Sequence, residues 1–223
     1  WCFLEISKEE ENQILVKYEK LETQCKFIHT ATDTLSKYSG SLGIKKFNVP
    51  VFFVSEMTRD CDGYDIFLKL AKALTKDHLN VLAISSDCYN ELFGYEFVDF
   101  NSSDKLGDQV FRINKVVYDL YEKKDPDVIL IRFPNPLMQY DDRNLFDCGV
   151  TAYTLTQAVP GDGCIACSLY DKGYAEFWNE YSELIEYRFG LHVIGVHVSR
   201  KMVDPMIILD SDIICLPEGG QKS

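Results

Sequence analysis

The sequence predicts an α/β fold, a three-layer sandwich built on a mainly parallel sheet. Short apolar runs alternate with amphipathic helical patterns along most of the chain. Each helical segment is long enough to cross over between parallel strands. One run, DVILIRF at 127–133, is apolar without alternation, as a central strand buried on both faces must be.

Residues 1–30 read as β-α-β. WCFLEI is a short strand, and Ser7 with Glu10 makes a capping box for a helix running to about residue 23. Ile14, Tyr18 and Leu21 share its buried face, and CKFIH is a second strand. This unit is either the tail of a preceding α/β domain or an edge of the main sheet, and a chain opening on Trp1 reads as a piece of something longer. Residues 31–48, with Ser36, Ser39, Gly40, Ser41 and Gly43, have the composition of a linker, which leaves 49–223 as the main domain.

The main domain opens with an apolar strand at 51–54, a polar loop, and a helix over 63–76 with Ile66, Phe67, Leu70, Ala71 and Leu74 inward. A second strand covers 80–84, and 85–97 is a loop with a short helical turn. Ser103 or Asp104 caps a helix over about 105–124, with Val110, Ile113, Val117 and Leu120 inward, and Asp125-Pro126 ends it. After the 127–133 strand, 133–144 has no periodicity; a helix over about 146–159, the PGDG turn and a strand at 164–170 follow. A helix over 174–189 buries Phe177, Tyr181, Leu184 and Ile185 and stops at Gly190. Strands at 191–199 and 212–217 complete the pattern.

With 223 residues the chain can bury a sizeable core, and 46% hydrophobic with 26% charged residues is the composition of a soluble globular protein. A net charge of −12 excludes nucleic acid and anionic membrane as the main partner, because both need a basic footprint, and leaves a basic peptide or protein open. No apolar run approaches a membrane span and no signal-peptide pattern opens the chain, so a cytoplasmic location is expected. Of the eight cysteines, Cys2, Cys25, Cys164, Cys167 and Cys215 lie in or beside apolar runs, as buried thiols in a reducing compartment do.

The strand-loop-helix-strand over 49–84 has the rhythm of a phosphate-binding unit, whose loop would read G-x-x-x-x-G-K-[ST]. The eight residues here are Thr58, Arg59, Asp60, Cys61, Asp62, Gly63, Tyr64 and Asp65. Only the second glycine is present; Tyr64 replaces the phosphate-binding lysine and Asp65 the magnesium-binding hydroxyl. Glu56, Asp60, Asp62 and Asp65 would repel a triphosphate, with Arg59 alone against them. The aspartate that would hold magnesium at the end of a later strand falls on Arg132. NTP hydrolysis is therefore not expected, and no cofactor is.

Asp60, Asp62 and Asp65 read as a solvated cap on a helix N-terminus rather than a cation site. Cys164 and Cys167, three apart in a strand, point to opposite faces and are structural; His192 and His197 likewise cannot share a metal. No catalytic residue and no metal site is expected. In an open parallel sheet ligands bind beyond the carboxyl ends of the strands. The ligand-binding candidates there are Ser55, Glu56, Asp62, Gly63, Tyr64, Asn90, Glu91, Arg132 and Asn135, with Tyr89, Phe93, Tyr95 and Tyr140 as candidate lining.

Four pieces carry a family resemblance: VPVFFVSEMTRDCDGYDIFLKL, NELFGYEF, PDVILIRFPNPLMQYDD, and FDCGVTAYTLTQAV followed by CIACSLY. Over about 48–217 the chain resembles the C-terminal domain of the clostridial peptide maturation system proteins. These are encoded beside small precursor peptides and radical-SAM enzymes. Ser55-Glu56-Met57 and Asn135-Pro136 stand where members typically carry a more glycine-like loop and a glycine pair. The framework is similar to the dethiobiotin-synthetase and nitrogenase-iron-protein group. The resemblance implies an accessory protein that binds a precursor peptide or a peptide-modifying enzyme without hydrolysing nucleotide. The competing expectation is an enzyme acting on a small molecule or peptide in the strand-end pocket.

Overall fold

The structure, a computed structural model, describes residues 43–100, 105–139, 145–170, 174–203 and 215–217, together with Glu9, Asn12, Gln13 and Val16. The chain divides into two units, Trp1–Thr32 and Asp33–Ser223. In the first, the four described residues are helical, within the helix expected over 7–23; both expected strands lie outside the described residues.

In the second unit, six apolar runs pair into one parallel sheet. The elements are β1 (Val51–Glu56), α1 (Gly63–Lys76), β2 (Val81–Ser85), a 3-10 turn (Cys88–Phe93), β3 (Glu96–Phe97), α2 (Leu106–Lys124), β4 (Val128–Arg132), α3 (Val150–Ala158), β5 (Gly163–Ser168), α4 (Tyr174–Phe189) and β6 (Val193–Val198). The strand order is β3-β2-β4-β1-β5-β6. A short antiparallel pair, β7 (Lys201–Val203) and β8 (Cys215–Pro217), forms a separate sheet.

The order distributes the helices. The β1-to-β2 crossover runs one way along the sheet, and the β3-to-β4, β4-to-β5 and β5-to-β6 crossovers run the other. Right-handed connections then put α1 on one face and α2, α3 and α4 on the opposite one. The two cores follow this division. Val51, Phe53, Leu82, Ile84, Ile129 and Ile131 pack with Ile113 and Val117 of α2, Leu155 of α3 and Ile185 of α4. Val54, Ala83 and Leu130 pack with Phe67 and Ala71 of α1. The fold class is the expected three-layer α/β sandwich on a parallel sheet.

Strand alternation separates the CxxC cysteines as expected, with Cys164 in the three-helix core and Cys167 in the α1 core. Burial pushes the Cys164 thiol up to about 12, against a smaller opposing contribution from Ser55. Cys167 is raised too, by burial first and then by the Glu56 carboxylate. Cys61, Cys164 and Cys167 are buried, Cys88 is half-buried and Cys148 is exposed. Since the thiolate is the reactive form, iodoacetamide at neutral pH is expected to modify Cys148 and then Cys88 in the folded protein. Cys61, Cys164 and Cys167 should react only after denaturation; rapid labelling of Cys164, read by peptide mass mapping, would contradict this packing.

Several boundaries differ from expectation. Residues 44–48, placed in the linker by composition, belong to the second unit: the Lys45 amide donates to Asn114 Oδ1 at 2.8 Å, and Phe47 packs edge-on to Tyr121. α3 begins at Val150 rather than near 146 because Phe146 and Cys148 take positive φ, 49° and 53°. α4 buries Tyr181, Ile185 and Phe189, four apart, and turns Leu184 outward. The expected caps Ser103 and Asp104 lie outside the described residues.

Candidate functional site

β1 and β4 are neighbours, and their carboxyl ends carry Glu56 and Arg132. This is the crevice where connections leave the sheet in opposite directions, the usual ligand position in open α/β sheets. Here the protein fills it with its own charges. One oxygen of Glu56 accepts from the Gly63 amide at 3.0 Å, and the other pairs with Arg132 Nη2. Arg132 Nη1 donates to Asp87 Oδ2 at 2.7 Å. The same Asp87 oxygen accepts from Ser85 Oγ at 2.5 Å. One planar fork thus bridges two carboxylates from two other strand ends. Burial by itself would lower the guanidinium pKa, but Glu56 and Asp87 outweigh it and raise it.

Gly63 is the first residue of α1, so its amide is one of the unpaired donors at the positive end of the helix dipole. In a phosphate loop these donors meet phosphate and a magnesium ion balances the charge. Here a carboxylate meets the donor and a guanidinium balances it. The loop reaches this shape without glycines: Asp60 and Asp62 take left-handed φ of 64° and 62°, a conformation that short polar side chains tolerate.

Tyr64 covers the pair. The Arg132 guanidinium lies 5.8 Å from its ring centroid, and its hydroxyl donates to Asn90 Oδ1 at 3.3 Å. Asn90 is fully buried, and its Nδ2 donates to the Glu96 carbonyl at 2.5 Å. Burial, then Asp87 and Tyr89, raise the Tyr64 phenol, so it remains a protonated donor. Tyr89 meets the Tyr64 ring edge-on at 5.3 Å and Phe93 does so at 6.5 Å.

The structure therefore brings together Glu56, Gly63, Tyr64, Asn90 and Arg132, with Glu91 half-buried on the adjoining 3-10 turn. Asp62 turns toward β6, where its Oδ2 accepts from Ser199 Oγ at 2.6 Å and lies 3.5 Å from His197 Nε2. Two candidates stand elsewhere. Ser55 precedes Glu56 by one residue and faces the three-helix core, where its Oγ accepts from Cys164 Sγ at 3.2 Å. Asn135 is held by Asp147 Oδ2 at 3.2 Å. Burial would raise the Asp147 carboxyl, but hydrogen bonds from Thr151, Gly149 and Asn135 bring it below the usual range. Asp87 and Ser85 were missed; their signal was a Ser-Ser-Asp step directly after an apolar strand. Tyr140 lies outside the described residues.

Glu56 and Arg132 are nearly closed off from solvent, their side chains 11% and 13% exposed. A cleft of about 650 Å³ opens instead at the amino ends of the strands, lined by residues 44–51 and 160–162. Among the described residues no cluster of His, Cys, Asp and Glu could hold a metal ion, and no helix is long and apolar enough to cross a membrane.

No family profile and no curated protein matches the sequence. Solved structures share the fold. A DUF1611 family protein from Anabaena variabilis is similar over 73% of this chain at 8% identity, with a TM-score of 0.52. The chain spans 51% of that protein's length. The kinase domain of the Escherichia coli tyrosine kinase ETK is similar over 67% of each chain, with 12% identity and a TM-score of 0.46. A plasmid partition protein from Borrelia burgdorferi is similar over 67% of this chain and 78% of its own, with 15% identity and a TM-score of 0.45. At these identities the likeness concerns the fold alone.

Proposed function

We propose that this domain is a P-loop-like scaffold whose phosphate site is closed by its own side chains and which works as a binding module. In this reading it is a cytoplasmic accessory protein of ribosomal peptide maturation that holds a precursor peptide or a peptide-modifying enzyme. One observation carries the non-hydrolytic part: the Glu56 carboxylate sits on the Gly63 amide at the α1 N-terminus with Arg132 against it. A triphosphate would have to displace a buried, paired carboxylate and would find neither lysine nor magnesium-binding hydroxyl. The biosynthetic setting is supported by the sequence pieces that resemble the clostridial proteins. As an enzyme pocket the crevice is poorly suited, since Glu56 and Arg132 spend their charges on each other.

Calorimetric titration with ATP or GTP and magnesium is expected to show no binding, and a micromolar dissociation constant would overturn the reading. Purification from the native host with its neighbouring genes intact is expected to retain a precursor peptide or a modifying enzyme.

A further inference from the structure

We propose that the aromatic, acidic rim around Tyr89 and Phe93 is a docking surface for a basic peptide segment, with an arginine or lysine side chain seated on the exposed rings. The proposal rests on the binding-module reading and names the partner's chemistry. Large aromatics at a strand end normally turn inward, yet Tyr89 is 38% and Phe93 56% exposed, both on the 3-10 turn. Both rings lean on Tyr64, so they present a fixed surface.

The charge around them is predominantly negative. Residues 56–65 and 85–99, which follow β1 and β2 at this end of the sheet and include the 3-10 turn, carry eight carboxylates and a single cation, Arg59. Arg132 is set against Glu56 and Asp87, and Lys124 against Glu96 at 2.7 Å, which still leaves these segments strongly negative. An acidic field draws in a cationic segment, and exposed aromatic faces hold a guanidinium or ammonium at short range. The protein already shows the combination once, where the Arg132 guanidinium lies over the Tyr64 ring between two carboxylates. An anionic partner would gain from the rings and lose against the field, and a neutral apolar one would gain from the rings alone.

The test is fluorescence anisotropy with a short labelled arginine-rich peptide, its lysine counterpart and a glutamate counterpart. The arginine and lysine peptides are expected to bind, more weakly as salt rises, while the glutamate peptide does not. Replacing Tyr89 and Phe93 together by serine should weaken binding about tenfold, with the melting temperature checked to show the fold intact. Equal affinity of that variant and the wild type for the arginine peptide would overturn the proposal, as would binding of the glutamate peptide or of none. If no peptide binds while ATP with magnesium is also refused and a partner still co-purifies from the host, the proposal falls and the binding-module reading stands. Micromolar nucleotide binding removes that reading first.

Discussion

Arg132→Met is expected to destabilise the domain by about 3–5 kcal/mol, the cost of breaking a buried ion pair by removing one partner. The loss has two parts. Glu56 and Asp87, 11% and 20% exposed, are left close together without their shared cation. The Tyr64 ring also loses the guanidinium beneath it. Arg132→Lys keeps the charge but not the fork. One ammonium cannot place separate donors toward Glu56 Oε2 and Asp87 Oδ2 in the geometry that Nη2 and Nη1 provide, so an intermediate loss is expected. The charge-free triple variant Glu56→Gln, Asp87→Asn, Arg132→Met should recover most of the deficit, because an apolar or amide replacement of a whole buried network is close to neutral. Urea unfolding of the three variants reads this directly. A triple variant no more stable than Arg132→Met would mean that the methionine, not the unpaired carboxylates, causes the loss.

Glu56 and Arg132 were each legible in the sequence as polar residues ending apolar strands. Their partnership was not. They are 76 residues apart, and only the insertion of β4 between β1 and β2 brings them together. Hydrophobic periodicity reports which face a residue takes and leaves strand order to the crossovers. β1, β2, β4, β5, β6, α1, α2 and α4 were legible because each has a sustained apolar pattern, whereas the two-residue β3 falls where a loop was expected and β7 was not foreseen; Gly190 (φ 69°) and Asp125 (φ 44°) end α4 and α2 as local chemistry predicts. The start of α3 was not, because Asp147 takes the Gly149 and Thr151 amides and shapes a turn where the pattern suggested helix. Ser55 shows the cost of ignoring alternation at a strand end: one residue from Glu56, it belongs to the other core. The loop lacks the first glycine of a phosphate-binding loop, and two aspartates supply the left-handed turns instead.

Gly63→Ala is expected to destabilise the domain by about 1–3 kcal/mol, the range for overpacking a filled site. The sign is informative. Gly63 has no positive φ and begins a helix, and there alanine ordinarily stabilises by about 0.4–1 kcal/mol through the unfolded chain. Here a Cβ would come within 2.4 Å of Glu56 Cγ and Cδ and 2.8 Å of Oε1. A glutamate side chain can usually swing away from such a contact. This one is held at both oxygens, by the Gly63 amide and by Arg132, so it can move only by giving up the ion pair. In a Glu56→Ala background, itself less stable than the wild type, the same Gly63→Ala change should become neutral or stabilising. The resulting double-mutant cycle would show a coupling of about 2 kcal/mol, within the range for residues in contact. Equal costs in both backgrounds would place the strain elsewhere in α1. In a phosphate loop a glycine before the helix lets the phosphate approach the backbone. In this protein the glycine is required for the same closeness of approach, and the group that approaches is Glu56.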